Sequence, residues 1–274
     1  MMSPKESAPR ARLPNSDSVF SRVLVGVDGT EPGFEACRQA AVLADPHTPI
    51  EAVAVVHLAD AAKAGMNAPR LAAELDREAE AALEEAGRIL GERGRTRFVN
   101  GFVTAALRHE VESAHATLLV LGSHGHRRVT EILIGGVAGE LLHSAPCSVL
   151  IARPAEDAGH FPSSIAVGID GSVAAEAALQ TAEQLATRFG VPLRVVAALR
   201  GKDVDVAAIR VRAPSGVEID AHPVEALVAA SRDAELLVVG SRGLHGIRAL
   251  GSVSERVAHQ AACSVLVVRS VPPR

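Results

Sequence analysis

The chain carries one pattern twice, and that repeat limits its fold more than any other feature. Residues 117–153 read TLLVLGSHGHRRVTEILIGGVAGELLHSAPCSVLIAR, and residues 234–269 read AELLVVGSRGLHGIRALGSVSERVAHQAACSVLVVR. Each copy passes from an apolar strand through a glycine loop into a short helix, then into a second apolar strand opening on Cys-Ser-Val. Upstream, VLVGVDGT (23–30) matches IAVGIDGS (165–172). Self-similarity over a whole domain is the mark of tandem duplication. A length of 274 residues accommodates two such domains.

In the first unit, Arg22–Val27 is a near-continuous apolar run of the kind buried on both faces of a parallel sheet. Asp28-Gly29-Thr30 turns the chain, and Thr30 is placed to cap a helix running to Ala44. A strand follows over Glu51–Val56, including Val55. Leu71, Leu75, Ala79, Leu83 and Leu90 fall near one stripe of a long helix spanning roughly Ala68 to Gly91. A strand near Arg97–Phe102 leads to a helix over residues 104–114. The fourth strand is Leu118–Leu121, and beyond the glycine loop come a helix over Val137–Ser144 and a fifth strand, Val149–Ala152. Strands alternating with helices across short loops predict a doubly wound parallel sheet.

Residues 1–19 read as a solvated tail, 20–153 as the first unit, 154–163 as a Pro-, Gly- and acid-rich linker, and 164–274 as the second unit. That unit repeats the strand Ile165–Ile169, the turn Asp170-Gly171-Ser172, a Ser172-capped helix closing at Gly190 and a strand over Leu193–Leu199. It then departs. The chain advances 73 positions from Pro49 to Gly122 but only 48 from Pro192 to Gly240, a deficit of 25. The missing stretch is the one the long second helix fills in the first unit. The β-branched residues and Pro214 within Arg200–Gly216 disfavour a long helix there. One face of the second sheet is therefore expected to find cover from the other half or from a second chain in a homodimer.

Composition excludes several classes. A formal charge of −4 gives no basic footprint for nucleic acid or a membrane surface. Apolar runs are strand-sized, so no membrane span is expected. The N-terminal sequence lacks the apolar segment of a secretory signal, which points to the cytoplasm. Cys37, Cys147 and Cys263 show no metal-ligand spacing and read as reduced core residues. The lysines are Lys5, Lys63 and Lys202, so no lysine-armed phosphate loop occurs. Neither a nucleophile elbow nor a kinase motif is present, and no loop offers a base beside a nucleophile. The chain is not expected to be an enzyme.

Ligands of open α/β sheets sit beyond the carboxyl ends of strands, where strand order reverses. In the first unit Gly122 and Gly125 let a ligand approach the backbone closely. The helix beginning at Gly135-Gly136-Val137 offers unpaired N–H groups and the positive end of a dipole to a phosphate. Asp28 is placed to accept hydrogen bonds from a ribose or a base edge. Gly240, Gly243 and Gly251-Ser252-Val253-Ser254 occupy the same places in the second unit. On these features alone each loop is either a nucleotide site or a structural turn. His124 and His126 bracket Gly125 and read as phosphate-facing or solvated loop residues, not as metal ligands. His143 and His259 sit at helix ends, where a histidine meets the dipole favourably. Arg127, Arg128, Arg242 and Arg248 are the cations nearest the two loops.

The Asp-Gly-Thr and Asp-Gly-Ser turns, the glycine loops and the Ala-Pro-Cys-Ser-Val and Ala-Ala-Cys-Ser-Val strand openings together resemble the universal stress protein family in its tandem form. That resemblance covers nearly all of the chain except the tail. It implies strand order 3-2-1-4-5, pairing of units through their fifth strands, and an adenine nucleotide (ATP, AMP or a cyclic form, with Mg as a candidate companion) held between the strand-one turn and the glycine loop. The family's nucleotide-binding forms carry G-x2-G-x9-G-[S/T]. The first unit keeps that spacing through Gly122, Gly125 and Gly135, but Gly136 and Ala138 replace its hydroxyl residues. The second unit keeps the hydroxyls as Ser252 and Ser254, but its spacer from Gly243 to Gly251 is seven residues. A neutral hydrogen bond contributes about 0.5–1.5 kcal/mol and one to a charged group about 1.5–3. Lost hydroxyls thus weaken a site, whereas a shortened loop reshapes it. The expectation is a stress-response regulatory protein that binds nucleotide weakly, mainly in the first unit, without turnover. The alternative is a degenerate pair acting as an interaction scaffold.

Overall fold

The computed structural model describes residues 18–57, 67–123, 134–155, 160–198, 207, 217–220, 222–241 and 251–269. The first unit contains β1 (Val23–Val27), α1 (Glu31–Leu43), β2 (Ile50–Val56), α2 (Ala68–Leu90), β3 (Gly94–Asn100), α3 (Val103–Ser113), β4 (Leu118–Gly122), α4 (Gly136–Ser144) and β5 (Ser148–Ala152). The second contains β6 (Ile165–Ile169), α5 (Val173–Phe189), β7 (Leu193–Ala198), β8 (Val217–Asp220), α6 (Pro223–Ala230), β9 (Leu236–Gly240), α7 (Ser252–Gln260) and β10 (Ser264–Val268). All ten strands form one sheet, ordered β3-β2-β1-β4-β5-β10-β9-β6-β7-β8. Each unit therefore has the expected 3-2-1-4-5 order, and the fifth strands meet.

Within each unit the strands run parallel. The apolar runs feed both faces of the sheet. Val23, Val25 and Val27 join a core with α1, α2 and α5, while Leu24 joins the opposite core with α3, α4, α6 and α7. Thr30 and Ser172 cap α1 and α5 by accepting from Gly33 N–H and Ala175 N–H. Left-handed Gly190 (φ 66°) ends α5 as expected.

The units meet at the antiparallel β5–β10 pair, in register Val149↔Val267, Leu150↔Leu266 and Ile151↔Val265. Both strands are buried along their length. Each end of the ladder is closed the same way. Arg153 N–H donates to Ser264 Oγ (3.0 Å) and Arg269 N–H to Ser148 Oγ (3.1 Å). The guanidinium groups then cross between units. Arg153 donates to the carbonyl of Ala258 (2.5 Å), in the last turn of α7, and to that of Cys263 (3.1 Å), just before β10. Arg269 donates to the carbonyls of Leu142 and His143, at the C-terminal end of α4. Cations there satisfy carbonyls that a helix leaves without partners and complement its dipole. Burial lowers the pKa of Arg153 to about 10. Arg188 of α5 adds a third tie, donating to the carbonyls of Val42, Leu43 and Ala44 where α1 ends.

Several expectations need adjustment. Ser18 donates to Asp45 Oδ2 (2.6 Å), and Val19 and Phe20 pack on the first core, so the fold begins inside the segment read as tail. β3 starts at Gly94, not Arg97, because β2 holds it in register from Ile50↔Gly94 to Val56↔Asn100. Phe102 is the N-cap of α3 and not the end of a strand. The 18 positions 199–216 between β7 and β8 are fewer than the 23 residues of α2, so a helix of that length does not fit; apart from Ala207 they lie outside the described residues. On β7 the face expected to take cover from the other half or from a second chain is covered within the chain. Val195 and Ala197 are buried within the single chain, 2% and 0% exposed, so their cover requires no second copy.

Burial raises the pKa of Cys37, Cys147 and Cys263 from 9.0 to about 12. The neutral thiols are the form the fold favours. Their contribution to stability is intact below pH 9 and is lost as pH rises from there towards 12. Iodoacetamide at pH 8 is therefore expected to leave the native chain unmodified and to add three groups after denaturation, as read by intact mass. A native-state adduct on any of the three would contradict the burial described.

Candidate functional site

β1 and β4 part company at their carboxyl ends. Their ladder stops at Gly26↔Leu121, one residue before Gly122. A cleft of about 200 Å³ opens there, with Val27, Asp28 and Thr30 on one side, Gly122 on another, and Val137 and Ala138 from the first turn of α4. Its floor is apolar: Val53 and Val55 come from β2, Val103 and Leu107 from α3, and Leu121 from β4. The matching cleft of the second unit measures about 70 Å³ and is lined by Asp170, Ser172, Gly240, Gly251, Ser252, Val253 and Ser254, among others.

The strand-one turn is built identically in the two units. Gly29 and Gly171 both sit at φ 78°, which side-chain-bearing residues adopt at a cost. The aspartate just before each accepts the N–H two residues on, Thr30 to Asp28 Oδ1 at 3.1 Å and Ser172 to Asp170 Oδ1 at 3.0 Å. The Thr30 hydroxyl donates to the same Asp28 oxygen at 2.6 Å. The Asp28 side chain is thereby fixed at the mouth of the cleft by one oxygen, presenting a carboxylate to whatever enters.

The opposite wall is a helix end without a side-chain cap. The first helical bond of α4 runs from Gly139 N–H to Gly135 O, so the amides of Gly136, Val137 and Ala138 find no partner within the helix. No side chain caps α4 or α7, whereas α1 and α5 are capped. An anion would supply the missing acceptors.

The structure separates residues that the sequence grouped together. Val27, Asp28, Thr30, Val55, Gly122 and Val137 line the first cleft. Gly29 shapes it without lining it, and Gly135 and Gly136 form the start of α4 beside it. His124, Gly125 and Gly243 lie outside the described residues. Gly122 and Gly240 are glycines for a reason other than ligand access. A Cβ on Gly122 would lie 2.4 Å from Pro32 O and 2.8 Å from Gly33 N; on Gly240 it would lie 2.4 Å from Ala174 O. These positions admit the first turn of α1 or α5 against the strand. Ser254 also has an internal task, donating to Gly240 O at 2.6 Å.

Sequence reasoning missed the apolar floor. Val53 alternates with Val55 on one strand face, and Val103 and Leu107 are one helical turn apart, so periodicity held a signal. Only the fold, by laying β2 and α3 beside β1, makes that signal a wall.

Comparison with known proteins places these features in a family. The profile of the universal stress protein family matches residues 20–153 and 207–269. A universal stress protein of Mycobacterium tuberculosis (strain ATCC 25618 / H37Rv), Rv2005c, is 33% identical over 188 residues, covering 57% of this chain and 63% of that relative. The chain thus matches less than two thirds of that protein's length. A universal stress protein of Mycolicibacterium smegmatis is 29% identical over 291 residues, covering 90% of this chain and 96% of the relative. The crystal structure of a universal stress protein from Archaeoglobus fulgidus has a TM-score of 0.72 at 22% identity, covering 91% of this chain and 98% of that one. That likeness concerns the fold.

The packing around Gly122 predicts unequal effects of two small substitutions. Gly122→Ala drives a methyl into the backbone of α1 and is expected to destabilise the chain by at least about 1–3 kcal/mol. Gly136→Ala has open space around its Cβ and is expected to be neutral or to stabilise by up to about 1 kcal/mol. Urea unfolding of both variants checks this; equal losses would show that the approach of α1 is not what requires Gly122.

Proposed function

The chain belongs to the universal stress protein family, and on that premise we propose that it is a stress-response regulatory protein that binds an adenine nucleotide weakly in its first unit. The observation that carries this reading is the pairing of an apolar cleft of about 200 Å³ with the uncapped start of α4 on one wall and the Asp28 carboxylate on another. The apolar floor suits a base, Asp28 suits donors on a sugar, and the free amides suit phosphate. Ala138 in the lining and Gly136 at the start of α4 beside it bring no hydroxyl, which supports weak binding. The second cleft, about a third the size, is assigned the lesser role.

The same reading assigns no turnover. Asp28 is the one carboxylate among the described lining residues, and Thr30 already engages it. No group of three His, Cys, Asp or Glu among the described residues is placed to hold a metal, so any Mg²⁺ would arrive with the phosphates of the nucleotide. The protein is assigned to the cytoplasm, where free thiols such as Cys37, Cys147 and Cys263 persist reduced. No described helix is long and apolar enough to cross a membrane. Since β5 and β10 satisfy each other, a homodimer would use an outer edge, β3 or β8.

Calorimetric titration with ATP and AMP tests the proposal. Wild type is expected to bind in the micromolar to millimolar range without releasing phosphate. Gly136→Ser, which places at α4 the hydroxyl that Ser252 carries at α7, is expected to tighten binding of the phosphorylated ligand by about tenfold. Absence of binding at millimolar nucleotide would favour the scaffold reading, in which neither cleft is used.

A further inference from the structure

The contacts that join the two units are of two kinds, and one kind depends on which units meet. The strand-end contacts of β5 and β10 come from residues present in both copies, Ser148 and Ser264, Arg153 and Arg269. They suit two first units or two second units as well as one of each. The contact of Arg188 does not. α5 has 17 residues and α1 has 13, and Arg188 stands in the extra turn. Counted from the caps Thr30 and Ser172, its place in the first unit is Pro46, beyond the end of α1.

The acceptors are equally one-sided. Arg188 reaches the carbonyls of Val42 (2.9 Å), Leu43 (2.8 Å) and Ala44 (2.9 Å) and the Asp45 carboxylate (3.0 Å). Because α1 stops at Leu43, its own N–H groups leave those carbonyls without partners. Their counterparts, Gln184, Leu185 and Ala186, lie inside the longer α5, whose N–H groups use them. Thr187 stands in the place of Asp45. The first unit therefore offers a socket where the second offers a plug. On the other face of the sheet His143 meets Glu255 of the second unit at 3.2 Å, and the first unit has Gly139 in the place of Glu255.

We propose that Arg188 and the end of α1 make this interface selective: a first unit accepts a second unit, of its own chain or of another copy, and discriminates against another first unit. The duplicated edge strands alone permit like pairs, since both open on Cys-Ser-Val and both are apolar. Two first units would leave both sockets empty. Two second units would turn both arginines on helix ends whose carbonyls are already used, and a desolvated cation without acceptors is costly. Unlike pairing is the arrangement in which every one of these groups is satisfied. Closure of the chain on itself follows from it, with head-to-tail exchange between copies as the intermolecular form it permits.

Like pairing is read at position 150. Leu150 faces Leu266 in the native pair and would face its own copy in a pair of first units, so Leu150→Cys gives a 150–150 disulfide between chains in that pair. Full chains carrying Leu150→Cys are refolded from urea with oxidised glutathione at high protein concentration. Peptide mass mapping then quantifies the 150–150 linkage apart from any bond of Cys37, Cys147 or Cys263. The linkage is expected to be minor with Arg188 in place and to rise at least about tenfold with Arg188→Ala, which takes charged hydrogen bonds from the native pair and none from a pair of first units. Ser148→Ala combined with Ser264→Ala is the control. It removes the same two contacts from every pairing and is expected to leave the linkage minor. Thermal melts confirm folding. Should Arg188→Ala not fold, Arg188→Lys takes its place, keeping the charge without the fork, and a smaller rise is expected. No rise in the Arg188 variant, or an equal rise in the serine variant, would overturn the inference.

Discussion

The structure depends on the junction of β5 with β10. A parallel five-stranded unit leaves its last strand as an unpaired apolar edge, a surface prone to uncontrolled pairing. In this chain the two edges close on each other, and the junction is made specific at both ends. Ser148 and Ser264 each accept the N–H of an arginine that ends the other unit's last strand. Those arginines then satisfy carbonyls in the last turn of the other unit's last helix. A cation buried as deeply as Arg153, 2% exposed, is expensive to desolvate. Its donors go where a helix end would otherwise leave carbonyls unpaired.

One consequence reaches the clefts. Because β5 and β10 are antiparallel, the carboxyl ends of the two units point to opposite ends of the sheet, and so do the clefts. The end of α4 remote from its own cleft lies at the second unit's carboxyl end. There His143 Nε2 meets Glu255 Oε1 at 3.2 Å, in the first turn of α7. The cleft helix of each unit is thus held at its far end by the other unit and left uncapped at its near end. The scaffold fixes the axis of the helix, and the amides at its start are positioned without being used up.

Much of this was legible in the sequence, because duplication supplies its own control. Strand order, the capped starts of α1 and α5, the short α4 and α7 and the meeting of fifth strands all follow from patterns present twice. What escaped depends on contacts between distant segments. The start of β3 is set by β2 and not by its own sequence, in which Arg95, Thr96 and Arg97 give no apolar signal. The cleft floor is assembled from β2 and α3. The cover of β7 could not be read from a missing helix, since Val195 and Ala197 are buried despite that loss. Gly122 shows a subtler limit. Sequence identifies a position that tolerates no side chain, but not whether ligand or backbone occupies the space; here it is the carbonyl of Pro32.

The asymmetry between the units follows the same logic. The two copies retain every element that closes the sheet: both strand-one turns, both close-packed glycines, both Cys-Ser-Val strands and both crossing arginines. They differ in the parts of the loop and the helix start that face the cleft, and in the connection between second and third strands. Residues that hold the two units together are answerable to both copies at once, since each arginine or serine of one has its partner in the other. Residues lining a cleft answer to that cleft alone. Change in one unit, such as alanine at position 138 or a shortened spacer after Gly243, therefore leaves the junction and the opposite cleft intact. Duplication closed by a reciprocal junction permits the two sites to diverge while the fold that carries them does not.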